Sequence, residues 1–251
     1  MTKNMKNKKA ELTTTQLVTT IILIVSFIII LFLIFRLNPG EQSNKEICRN
    51  SVVLRANAIL RVGVGGDLDC RTNYLCISGG DECKSFTSAK VEIDLDGKDD
   101  EKEVMEVIAK EMADCWYMFG EGKVNYGEYQ SPSVKYALCS FIEFDEKIQE
   151  KIPKITYAKF YGYLETEEKT NSQSYLSYLY GVNDINFLVI DQSKFKIDLT
   201  KNEIKTTEKY SIITGIDDSR TPIPDVIFKV YIIPTSETSS RLGDGEFITK
   251  A

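Results

Sequence analysis

Three patterns of apolar positions run along this chain. The first is an almost unbroken apolar segment, residues 17–37, in which Ile21 to Phe35 carries no charge and one hydroxyl, Ser26. At about 1.5 Å of rise per residue, a helix of about 20 residues crosses a hydrocarbon core of about 30 Å. In lipid only a helix satisfies its own backbone hydrogen bonds, so the many β-branched residues do not count against one. The pattern predicts a transmembrane helix over 17–37. A cleaved signal peptide would have a shorter apolar region ending at a small-x-small site. Arg36-Leu37-Asn38-Pro39-Gly40 offers no such site.

The second pattern has period two. Val52, Leu54, Ala56, Ala58 and Leu60 alternate within Ser51 to Leu60, and Ala89 to Asp96 alternates strictly. Both read as strands, as do Val134 to Phe144, Asn186 to Ile190, Lys194 to Leu199, Ile204 to Ile213 and Val226 to Ile233. The third pattern has helical period. Val104, Ile108, Met112, Cys115 and Phe119 form one buried stripe, with Asp100 and Glu103 as a capping box and Gly120 as the stop. Ser172 to Tyr180 reads as a short Tyr-rich helix stopped by Gly181. The segment from Ser236 to Ala251 is expected to fray.

These elements predict an α+β protein. A basic cytoplasmic tail (1–16) and a transmembrane helix (17–37) lead through a stalk (38–46) to an exported domain (47–251). That domain has a largely antiparallel sheet, one main amphipathic helix, a cysteine-containing part (47–180) and a strand-rich part (181–251).

Charge sets the orientation. Lys3, Lys6, Lys8 and Lys9 precede the span, against Glu11 alone, so the positive-inside bias holds the N-terminus in the cytoplasm and exports the rest. The whole chain has 31 basic and 37 acidic residues. Residues 1–36 hold five of the bases and one of the acids, leaving 26 against 36 beyond them, a net charge of −10. Such a domain is a poor nucleic-acid binder.

Cysteine usage agrees. Cys48, Cys70, Cys76, Cys83, Cys115 and Cys139 all lie beyond the span, and an even count in an exported domain reads as disulfides. The helical stripe turns Cys115 toward the core, where a bridge to Cys139 on a strand is feasible; the other four are expected to pair among themselves. Zinc would need closer pairs than Cys70-x5-Cys76 and Cys76-x6-Cys83.

Candidate chemistry is thin. The chain has no histidine, which excludes a Ser-His-Asp triad, a Cys-His pair and an HExxH site. Glu92, Asp94, Asp96, Asp99, Asp100, Glu101 and Glu103 are dense, but Asp94-Leu95-Asp96-Gly97 does not fit an EF-hand loop. They read as a wet strand face running into a helix N-terminus. Gly120-Glu121-Gly122-Lys123 lacks the P-loop spacing and follows a helix instead of opening one. Tyr157, Tyr161, Tyr163, Tyr175, Tyr178 and Tyr180 are a candidate interaction surface, since tyrosine brings apolar area with a polar tip.

Two stretches carry a resemblance. Lys9 to Val18, running into the apolar span, resembles the N-termini of single-span archaeal membrane proteins. Asp114-Cys115-Trp116-Tyr117-Met118-Phe119-Gly120-Glu121-Gly122-Lys123, followed by Cys139 to Asp145, is similar to a block in the same family, whose exported domain has six cysteines. The family brings no assigned activity with it. Trp116, the only tryptophan, is expected to anchor the helix in the core. The N-terminus also resembles archaeal pilin signals, with Ala10 before the cleavage point; the fifth mature position, where pilins carry Glu, is Thr15.

The expectation is a non-enzymatic, membrane-anchored domain with a structural or protein-interaction role at the cell envelope, without cofactor, metal or nucleic acid. Its partners would be the lipid bilayer, through the N-terminal helix, and a membrane or surface protein or a second copy. A pilin-like filament subunit and an exported carboxylate hydrolase are the alternatives.

Overall fold

A computed structural model of the chain describes residues 14–36, 39–57, 68–86, 89–127, 133–170, 172–188, 198–199, 201–217, 226–243 and 245–250. In the first two helices the side chains described are those of 17–32 and from 44 onward. The chain divides into two compact units, Met1–Ser43 and Asn44–Ala251.

The first unit contains helix α1 (Thr14–Arg36). Its described side chains are all exposed, large apolar ones included. Ser26 donates its hydroxyl hydrogen to the Ile22 carbonyl at 2.8 Å, so this polar group is satisfied within the helix. Among the described residues no helix is long and apolar enough to cross a membrane.

The second unit is built on a mixed sheet. Its strands are β1 (Asn73–Ser78), β2 (Ala89–Glu92), β3 (Val134–Phe144), β8 (Tyr210–Asp217), β9 (Val226–Pro234) and β10 (Glu246–Phe247). The order is β2-β1-β3-β8-β9, with β10 also on β3. β4 (Lys154–Thr156) pairs with β7 (Glu203–Lys205), and β5 (Glu168–Thr170) with β6 (Gln173–Ser174), in two small antiparallel ribbons. The helices are α2 (Pro39–Ala56), α3 (Asp100–Met118), α4 (Glu146–Lys151), α5 (Tyr157–Thr166), α6 (Tyr175–Tyr180) and α7 (Thr238–Leu242).

The sheet is not largely antiparallel. β1 runs parallel to both β2 and β3, and β10 runs parallel to β3; the pairs β3–β8 and β8–β9 are antiparallel. Parallel strands need a crossover, and α3, between β2 and β3, supplies it. α3 packs on β8 and β9 and against α5 and α6. This explains why its buried surface is wider than one stripe: besides Val104, Ile108, Met112 and Cys115 it buries Met105, Ala109, Ala113 and Trp116.

Several expected elements differ. The expected strand over 51–60 is helical through Ala56, because α2 runs from Pro39 to Ala56 and so also takes up most of the expected stalk; 58–60 lie outside the described residues. The buried residues of α2 are Cys48, Val52 and Arg55, a helical spacing that outweighs the alternation read around Val52. The capping box at α3 does not form: Asp99 is the N-cap, and Asp100 instead accepts from Gly97 N at 2.8 Å and pairs with Lys151 at 3.0 Å. Gly120 does stop the helix, at φ +78°. The expected strand over Asn186 to Ile190 is a 3-10 turn at Ile185–Phe187 as far as it is described, and most of Lys194 to Leu199 lies outside the described residues.

The segment beyond Ser236 is tied down. β10 pairs with Lys135 and Tyr136 on the edge of β3 that β1 leaves open, β1 taking Ser140 to Phe144. Lys250 N donates to Cys70 O, and Thr72 N to Lys250 O, both at 2.9 Å. Thr249 Oγ1 accepts from Leu138 N at 3.1 Å. Gly245 is needed here, since a Cβ would come within 2.2 Å of the Tyr136 ring.

Candidate functional site

All six cysteines are joined, Cys48–Cys70, Cys76–Cys83 and Cys115–Cys139. The last bridge depends on a β-bulge: the β3–β8 register shifts between Leu138 and Ser140. Ser140 meets Glu111 of α3 while Cys139 meets Cys115 of α3, so two adjacent residues both face the helix.

The block 114–123 forms a clamp on α2. Asp114 accepts from Lys45 Nζ at 2.6 Å. Arg49 donates to the Tyr117 carbonyl at 2.6 Å, lies over the Tyr117 ring at 3.9 Å and reaches Glu121 at 3.6 Å. The Tyr117 hydroxyl donates to Glu46 at 2.8 Å. Between these outward groups, Cys115, Trp116, Met118 and Phe119 point into the core. The helical spacing thus splits the block into a core face and a gripping face. Cys48 and Val52, both buried, and the Cys48–Cys70 bridge complete the attachment.

Glu121 is the hub beyond the helix end. It accepts from the Tyr178 hydroxyl at 2.9 Å and pairs with Lys123 at 3.2 Å. It is the one non-glycine with positive φ among the described residues, at 57°, flanked by Gly120 and Gly122. Burial opposes its charge, but Tyr178, Lys123 and Arg49 hold its carboxyl below the usual range. Gly122 sits against Trp116, where a Cβ would come within 2.9 Å of the ring. Trp116 is buried, as expected of an anchor, and Lys229 lies 5.0 Å from its ring centroid.

Two further carboxylates are held in opposite ways. Asp145 is buried, which alone would raise its pKa, yet it accepts from Ile148 N, Asp81 N, Ser78 Oγ and Gly79 N, and its pKa falls. It caps α4 and shapes the turn after β1. Glu111, on α3, is pushed up by burial despite the Ser140 hydroxyl at 2.7 Å and Lys45 nearby. A cavity of about 300 Å³ is lined by Val134, Tyr136, Ser240, Arg241, Leu242, Gly243 and Gly245; neither Asp145 nor Glu111 lines it, nor does any other carboxylate among the described residues. Among the described residues no three His, Cys, Asp or Glu side chains could hold a metal ion.

The six tyrosines do not form an open surface. Tyr157, Tyr161, Tyr163, Tyr175 and Tyr180 are buried, and Tyr178 is half-buried against Glu121. Tyr157 donates to Ile232 O at 3.0 Å and Tyr180 to Val230 O at 2.8 Å. With its hydrogen so used, Tyr180 accepts from Tyr161 at 3.2 Å. Burial pushes the hydroxyls of Tyr157, Tyr161 and Tyr180 far up, so they remain protonated donors. Of these polar tips, those of Tyr157 and Tyr180 bond the sheet edge, and that of Tyr178 bonds Glu121.

No protein-family model, characterised protein or solved structure matches this chain.

Proposed function

We propose that this chain is a membrane-anchored, exported domain whose role is structural or interactive instead of catalytic. α1 anchors it in the bilayer with the N-terminus in the cytoplasm, and α2 is the stem on which the domain is carried. One observation carries the reading: every cysteine lies after the apolar helix and is closed in a disulfide, and one of those bridges bolts α2 to the domain. Disulfides persist in oxidising compartments, which fits export.

The clamp supports the same role. Lys45, Glu46, Arg49 and Cys48 fix one face of α2 over more than a turn, so orientation passes from stem to domain without a hinge there. The strong carboxylates are engaged in holding turns and helices, which suits a framework.

The test is alkaline carbonate extraction of membranes carrying the full chain, with protease added outside intact cells or spheroplasts. The expected result is a chain that stays in the pellet and loses its domain to external protease. Release into the carbonate supernatant would overturn the anchor, and protection of the domain in intact cells would overturn the export.

A further inference from the structure

The two ends of the sheet are treated differently. At β9, Thr235 N donates to Lys209 O at 2.8 Å, which makes Ile233 and Tyr231 the residues bonded to β8. The carbonyls of Ile232 and Val230 therefore face the open side, and the Tyr157 and Tyr180 hydroxyls occupy them. Those two acceptors of the edge are closed. At the other end, β2 pairs with β1 alone among the described residues.

The backbone of β2 shows which groups are offered. Ile93 N donates to Ser78 O at 2.8 Å, so Ile93 and Val91 bond inward to β1. Alternation turns the N–H and C=O groups of Lys90 and Glu92 outward. The side chains of Lys90 and Glu92 share one face and lie 3.7 Å apart, and Val91, on the other face, is 37% exposed.

We propose that β2 pairs with β2 of a second copy of this chain, antiparallel and centred on Val91, so that the sheet continues across a two-fold axis. In that register Lys90 of each copy is opposite Glu92 of the other, and both residues have the outward backbone groups that an antiparallel hydrogen-bonded pair requires. Four charges then alternate in sign across the axis. Centring the axis on Lys90 would set lysine against lysine, and centring it on Glu92 would set glutamate against glutamate; like charges directly opposite destabilise a pair. Lysine on a short edge strand commonly discourages pairing. Here the glutamate two residues on converts that deterrent into a selector of one register and one partner. The pairing does not rest on the anchor, although two chains held in one membrane would meet at raised effective concentration.

The test uses the full chain in detergent and in membranes. All six native cysteines are bonded, so Val91→Cys introduces a lone free thiol. Facing residues of a non-hydrogen-bonded pair lie about 4.5 Å apart at Cα, within disulfide reach. Mild oxidation with copper phenanthroline is expected to give a covalent dimer. Phe187→Cys, at a more exposed site far from β2 in sequence, is the control and should give little. In the Val91→Cys background, Lys90→Glu should cut dimer yield by about fivefold, since two cross-strand pairs are lost together. Adding Glu92→Lys should restore it. Equal cross-linking of Val91→Cys and Phe187→Cys would overturn the proposal, as would a charge swap that does not restore the dimer.

Discussion

The Tyr180 hydroxyl donates to the Val230 carbonyl at 2.8 Å and so closes a backbone acceptor that the edge strand β9 would otherwise leave open. A side chain from a six-residue helix thereby does the work of another strand. Tyr180→Phe removes the bond and leaves both the Val230 carbonyl and the Tyr161 hydroxyl without their partner. A loss of about 1–3 kcal/mol is expected. Urea denaturation checks it: the midpoint should fall while the slope stays unchanged.

The Cys48–Cys70 bridge closes a segment of 22 residues. Replacing both cysteines with serine should cost about 3 kcal/mol by the loop-closure relation. The three bridges follow one another along the chain without interleaving, so each acts on its own loop. Thermal unfolding of the three paired replacements should accordingly show nearly independent losses.

Acid should act on Asp145 and Glu111 with opposite sign. Asp145 has a folded pKa below its unfolded value, so its contribution is present above the unfolded pKa and is lost as pH falls through the folded one. Asp145→Asn should therefore flatten the acid limb of a stability profile. Glu111 has a raised folded pKa, so its charged form costs stability above that value and the cost fades on acidification. Glu111→Gln should raise the unfolding midpoint at neutral pH and change it little in acid. A denaturant series across pH 3–8, about the range where carboxylates titrate, reads both.

Gly122 holds φ +70° with its Cα facing the Trp116 ring. Gly122→Ala should cost about 1–2 kcal/mol for the left-handed conformation alone, and more for the contact. Tryptophan fluorescence followed through unfolding serves as the probe, since Trp116 is the chain's one indole.

An uncleaved anchor predicts a mature chain that still carries Met1 to Ala10. Intact-mass measurement of protein from native membranes checks this. A chain starting at Glu11 would favour the pilin-like alternative instead.

The central elements were legible because their patterns were long. α3 holds a helical period and β3 is a long, mostly apolar run, and both lie where expected. The orientation of one helix face made the Cys115–Cys139 bridge feasible, and the bridge is formed. α2 was misread because Val52, Leu54 and Ala56 alternate by accident while the buried positions are Cys48, Val52 and Arg55. The polar appearance of this stretch concealed a helix whose Lys45, Glu46 and Arg49 meet α3. For the tyrosines the decisive signal was spacing. Tyr157, Phe160, Tyr161 and Leu164 form a helical stripe and are all buried, which marks a core face and not a surface. The clamp itself had no local signature. Its partners lie about 70 positions apart, and only folding α2 against α3 brings them together.

Segment 246–250 occupies the edge of β3 ahead of β1. It is synthesised after every cysteine and after the rest of the sheet, so the sheet's final hydrogen bonds wait for it. The bridges Cys48–Cys70, Cys76–Cys83 and Cys115–Cys139 can all close on a chain still emerging, whereas the gap beside Lys135 and Tyr136 cannot. Loss of residues 246–250 would leave all three cross-links in place yet open the strand edge beside Lys135 and Tyr136.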